Sequence, residues 1–243
     1  MRDSRVVLTG FLIGLGLVLG GVFIGKGFVD SRRVQRTVTM KGLAEREVSA
    51  NLALWPLRFV STNNDLDRAQ AGIERSQRAI MAFLARNGID STQVELQDLE
   101  VTDILANPYR SGPADSRFII SQTLMVRSED ALQIQAASQR IDELVKAGVV
   151  LSSEGGPGGS GPTYLFTRLN DLKPAMIAEA TANARLAAQQ FAQDSGSRLG
   201  KIRSASQGVF VILPRDQVPG IMEEKQLRKI VRVVSTLEYD LVD

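Results

Sequence analysis

Four carboxylates, Glu95, Asp98, Glu100 and Asp103, crowd into nine residues of one apolar-alternating segment. Oxygen ligands of that kind suit a hard cation such as calcium. Strict alternation along a strand, however, places Glu95 and Asp103 on one face and Asp98 and Glu100 on the other, and no loop has calcium-ligand spacing. A second cluster, Lys225, Arg228, Lys229 and Arg232, is basic. It has the charge to meet an anionic lipid surface, a cell-wall polymer or an acidic partner, and it also suits a solvated strand that resists sheet-to-sheet association. A serine nucleophile needs a base. The chain has no His and no Cys, so only a Ser–Lys pair is available, from Ser121 or Ser128 with Lys146. Nothing in their spacing singles them out. No acid, base and nucleophile converge, so the reading is a protein that is not an enzyme, with no catalytic residues, no metal ligands and no cofactor. The absence of Cys and His also excludes disulfides and thiolate or imidazole metal sites.

The elements that hold these residues begin with Val6 to Gly25, a run of 20 residues without a charge. At about 1.5 Å per residue such a helix spans roughly 30 Å, the thickness of a bilayer's hydrocarbon core. Arg2 and Arg5 before it place the N-terminus in the cytoplasm, against a weaker opposing vote from Lys26, Arg32 and Arg33. A cleaved signal peptide would have a shorter apolar region and a small-x-small site, which Gly25-Lys26-Gly27 does not supply. The expectation is therefore a cytoplasmic stretch 1–5, an inner-membrane anchor 6–28 and a periplasmic body 29–243, with candidate sub-lobes 34–150 and 163–243. Gly10, Gly14, Gly16 and Gly20 fall at small-xxx-small spacing, which lets membrane helices pack closely; glycine is also common in such helices without any partner.

In the body, Val34–Leu43 alternates as a half-buried strand ended by Gly42. Val48–Val60 is apolar on both faces, with Trp55, Leu57 and Phe59 on one. A strand of that kind is covered on both sides, by helices or by a partner chain, and Pro56 predicts an edge position or a bulge. Asn63 or Asn64 caps a helix from Asp65 to Arg86. Strands Gln93–Leu105 and Phe118–Val126 form a long hairpin, followed by a helix from Ser128 to Ala147. Residues 152–162 read SSEGGPGGSGP, the composition of a mobile connection, without the Lys-Ser/Thr ending of a phosphate loop. A short strand at Tyr164, an alanine-rich helix to Asp194, a strand Lys201–Leu213 and a last strand Gln226–Leu241 complete the chain. The fold class is α+β: antiparallel sheets built from long hairpins with three helices packed on them, preceded by one transmembrane helix.

Several of these residues resemble the SIMPL-domain family of bacterial envelope proteins, over about Val38 to Leu241. The opening Val38-Thr39-Met40-Lys41-Gly42 with Glu45, the Asn87-Gly88-Ile89 and Lys146-Ala147-Gly148-Val149 helix ends, and Pro108-Tyr109 in the hairpin look like the family's pattern. The strongest likeness is the long helix with Ala178, Ala180, Ala184-Arg185, Ala187-Ala188 and Phe191, closing through Gly196-Ser197-Arg198-Leu199-Gly200-Lys201-Ile202. Ala50-Asn51 stands where the family often carries Pro-Asp. The resemblance implies a periplasmic α+β domain, ring or barrel oligomers in some members, and an association with oxidative-stress defence; it carries over no catalytic residue. The expected function is a membrane-anchored protein acting through self-assembly or protein interaction, with a homo-oligomer as the expected partner state and no nucleic acid. The alternative is a monomeric module for an unidentified envelope ligand. The interaction surface would comprise Trp55, Leu57, Phe59, Tyr109, Arg228 and Arg232. Whether the Trp55 face is covered within one chain or between chains separates the two readings.

Overall fold

The computed structural model describes residues 14–26, 36–106, 115–152 and 161–243. Residues 14–26 are helical (α1). At 1.5 Å per residue that stretch is about 20 Å long. Among the described residues no helix is long and apolar enough to cross a membrane. The first part of the expected anchor lies outside the described residues.

The body follows as β1 (Thr37–Ser49), β2 (Leu52–Asn63), α2 (Leu66–Arg86), β3 (Val94–Asp103), β4 (Phe118–Ser128), α3 (Ala131–Ser138), α4 (Asp142–Lys146), β5 (Val150–Leu151), β6 (Thr163–Leu165), α5 (Leu169–Asp194), β7 (Arg198–Gln207), β8 (Val211–Pro214) and β9 (Arg228–Val242). One sheet runs β3-β4-β2-β5, with β6 also pairing β2; the other runs β1-β9-β7, with β8 also pairing β9. The α+β class and the antiparallel hairpins are as the sequence predicts. The chain divides into two compact units, 1–42 with 182–206 and 236–243, and 43–181 with 207–235. The division passes through β1, α5 and β9.

In the second unit, alternation along β2 sends Ala53, Trp55, Leu57 and Phe59 to one face. Their partners on β4, Val126, Leu124 and Gln122, share that face and are buried. The stripe Ala69, Ile73, Ile80, Phe83 and Leu84 of α2, with Ile134 and Leu144, fills the other side of this core. The α2 N-terminus is capped by Asp65, whose carboxylate accepts from the Arg68 N–H at 3.0 Å, one residue beyond the expected Asn64. Pro56 is neither at an edge nor in a bulge. It faces Met125 in unbroken register on one side. On the other side β6 covers Leu52–Leu54 and β5 covers Phe59–Val60. The Arg58 carbonyl points to that side, where it accepts from Ser152, so Pro56, of the same parity, turns its missing N–H into the gap between two short strands.

Four further corrections concern where elements begin and end. The expected strand Val48–Val60 breaks at Ala50-Asn51. Asn51 accepts from the Thr167 N–H and donates to the Thr167 hydroxyl, both at 2.8 Å, which turns the chain between β1 and β2. Gly42 does not end its strand; it is buried within β1. The expected helix Ser128–Ala147 is α3 and α4, separated by a tight turn at 139–141 that exposes Leu132 and Val145 while Ile134, Ala137 and Leu144 stay buried. The expected strand Lys201–Leu213 divides at Gly208, whose N–H bonds the Val234 carbonyl at 2.8 Å and where a Cβ would come within 2.9 Å of that oxygen. Among the described residues of the body there are four α-helices rather than three.

The second unit has a further cluster, Ala44, Met176, Ala180, Val231 and Val233. The first unit has its own, formed by Val38, Ala184, Ala188, Leu237 and Tyr239 with Leu199 beside them. The buried residues of α5 recur every four positions, Met176, Ala180, Ala184, Ala188 and Ala192. Small side chains at that spacing let a helix lie close on a sheet. In the first unit, β7 and β9 also approach closely: a Cβ on Gly200 would meet the Asp240 carbonyl oxygen at 2.9 Å and the Val242 side chain at 3.0 Å. Because one of those atoms is backbone and cannot swing aside, Gly200→Ala should lower stability by about 1–3 kcal/mol, the usual cost of overpacking. A urea titration of the variant followed by circular dichroism reads it; unchanged stability would mean the two strands part easily.

Candidate functional site

Trp55, Leu57 and Phe59 are core residues. Trp55 stands edge-on to Phe83 of α2, with ring centroids 6.4 Å apart and planes at 73°. All three are buried within one chain, so this face is not available to a partner. The expected interaction surface there is corrected: α2 supplies the cover that the sequence left open between helix and second chain. Tyr109 and Gly10 lie outside the described residues. Gly14, Gly16 and Gly20 lie on α1 with no atom within 4 Å of where a Cβ would sit.

Arg228 and Arg232 project from the face of β9 opposite Val231 and Val233. Each meets a glutamate of β1. Arg232 Nε donates to Glu45 Oε1 at 2.5 Å and Arg228 to Glu47 Oε1 at 3.2 Å; Glu47 also takes Arg215 at 3.8 Å. The basic run is therefore not a single patch. Lys225 donates to the Gly161 and Pro162 carbonyls at 3.4 Å, and Lys229 points the other way, into the interior, where it is fully buried against Glu223. A cleft of about 370 Å³ is lined by Arg215, Asp216, Lys225, Gln226 and Arg228 among others. Within it Arg215 lies 2.8 Å from Asp216, whose carboxyl is held below its ordinary value by that hydrogen bond.

Ser121, Ser128 and Lys146 do not come together. Ser121 Oγ accepts from Arg58 at 3.1 Å, Ser128 Oγ accepts from Gln93 and from the Asp130 N–H, and Lys146 donates to Asp142 one helical turn away at 2.6 Å.

The carboxylates of β3 correct a second expectation. The ladder with β4 shifts between Leu96 and Leu99. Such a bulge reverses the phase of alternation. Glu95 and Glu100 consequently share a face, opposite Met125 and Ser121, while Asp103 pairs across from Phe118 on the other. Glu100 takes Arg58 at 3.1 Å. Asp103 receives a two-pronged Arg117 at 2.9–3.2 Å, and that hydrogen bond holds its carboxyl below its ordinary value. Glu95 and Asp98 make no ion pair or side-chain hydrogen bond among the described residues. No group of three or more potential ligands able to hold a metal ion occurs among the described residues.

The same phase change aligns Leu96, Leu99 and Val101 in one row, on the face of Leu124 and Ile120 but beyond the reach of the helices. They are 54%, 59% and 51% exposed. Since β3 pairs only with β4, its second backbone edge is open among the described residues. Sequence reading missed this row because it assumed unbroken alternation. The available signal is the Leu96-x-x-Leu99 spacing, three rather than two.

Two antiparallel sheets with α-helices, and an exposed apolar row on one edge strand, define an α+β protein. The family model SIMPL, protein of unknown function (DUF541), matches residues 38–228. The chain belongs to the SIMPL family. No curated protein matches it.

Proposed function

We propose that this SIMPL-domain protein is anchored in the inner membrane and acts in the periplasm by self-assembly or protein interaction, without catalysis, in envelope or oxidative-stress defence. The carrying observation is β3: an edge strand, open among the described residues, bearing three half-exposed aliphatic side chains on the same sheet face that α2 fills over β2 and β4. Open edges invite another strand, and exposed apolar rows mark interaction surfaces. The uncharged run Val6–Gly25 supports the anchor, and α1 overlaps it over residues 14–25. The dispersal of Ser121, Ser128 and Lys146 into separate structural bonds supports a non-catalytic role.

The test is the mass of the full chain in detergent, by light scattering with the bound micelle subtracted. A discrete multiple of 26.4 kDa is expected at micromolar concentration. A single copy at every concentration overturns self-assembly and leaves a monomeric binding module.

A further inference from the structure

We propose that the β3 edge of one copy is completed by the β7 edge of a second copy. This rests on the self-assembly reading and names the two surfaces that meet. Both strands are 10 residues long and both lie at the end of their sheet. Their charges are opposite and unmixed: β3 (VELQDLEVTD) has four acids and no base, and β7 (RLGKIRSASQ) has three bases and no acid. On β3, Glu95 and Asp98 make no ion pair or side-chain hydrogen bond among the described residues. On β7, Arg198 is engaged by the Asp243 carbonyl, whereas Lys201 and Arg203 are exposed and unpaired among the described residues.

The rows also match in kind. Side chains of a strand alternate between two rows. On β3 one row holds Leu96, Leu99 and Val101 and the other Glu95 and Glu100. On β7 one row holds Ile202, 45% exposed, with Arg198 and Gly200, and the other Lys201 and Arg203 with Leu199. Lateral pairing in phase sets aliphatic beside aliphatic and acid beside base, while the two backbones supply each other's missing hydrogen bonds. Pairing β3 with a second β3 would bring acid to acid, so the same charges that admit β7 exclude the symmetric alternative. Each copy then offers two different surfaces, a head-to-tail contact.

The experiment uses the full chain in detergent. Glu95→Lys with Asp98→Lys reverses β3, and Lys201→Glu with Arg203→Glu reverses β7. All four positions are exposed, so an unchanged thermal melt verifies folding. Each reversed pair should weaken association at least tenfold, and the four substitutions together should restore it. With no native cysteine, Leu99→Cys and Ile202→Cys variants can be mixed and oxidised. Mixed disulfides are expected to dominate over Leu99→Cys homodimers. Assembly that ignores both reversals, or that the fourfold variant fails to restore, overturns the β3–β7 contact while self-assembly stands through another surface. A protein that is monomeric throughout overturns both.

Discussion

Trp55→Ala lowers the stability of the fold by about 3–5 kcal/mol, the range for deleting a buried aromatic side chain. The side chain is fully buried on β2 beneath α2, edge-on to Phe83, so truncation leaves a cavity walled by two regular elements that cannot both relax into it. Its indole N–H finds no acceptor among the described residues, however. A buried donor without a partner costs about 1–3 kcal/mol. Trp55→Phe removes that donor while keeping an aromatic ring against Phe83, so its net cost should stay below about 2 kcal/mol, well short of the alanine variant. Urea titrations followed by circular dichroism measure both. Equal losses for Phe and Ala would mean that the indole nitrogen is satisfied. A loss under about 1 kcal/mol for Ala would mean that the face is not a core.

The burial of Trp55 shows what the sequence can and cannot convey. Alternation alone groups Trp55 with Leu57 and Phe59, and the Ile73–Ile80–Leu84 stripe of α2 is equally plain from its spacing. What a one-dimensional pattern lacks is which surface meets which. The apolar row of β2 reads the same under a helix of its own chain or against a second chain, and only the placement of α2 over it separates the two. The β3 bulge is a property of the pair β3–β4, so the acids of β3 were assigned to faces by a period that the ladder interrupts. Gly208 is decided by the Val234 carbonyl across the sheet. Lys229 is different, because its signal was present: it shares the period-two row of Val231, Val233, Leu237 and Tyr239, every one of them buried. Its charge outweighed its position in the reading, since lysine is almost never fully buried unless paired.

That pairing leads to the second large effect. Lys229 Nζ contacts the Glu223 carboxylate and donates to the Glu223 carbonyl at 2.7 Å. The lysine side chain is fully buried and the glutamate side chain 29% exposed. Removing one partner of a buried ion pair leaves a desolvated charge and costs about 3–5 kcal/mol. Glu223→Ala should fall at the low end, about 3 kcal/mol, because the backbone carbonyl still receives the ammonium. Lys229→Met takes away the charge and keeps the apolar stem in the row with Val231, so it should be neutral or stabilise by about 1–4 kcal/mol. In that background Glu223→Ala should cost less than about 1 kcal/mol, since Glu223 then has no buried charge to answer. The double-mutant cycle in urea therefore returns a coupling of about 2 kcal/mol or more. A coupling near zero would mean that the ammonium is held by the carbonyl alone, and Glu223 would then matter only to the turn Glu223–Lys225 that leads into β9.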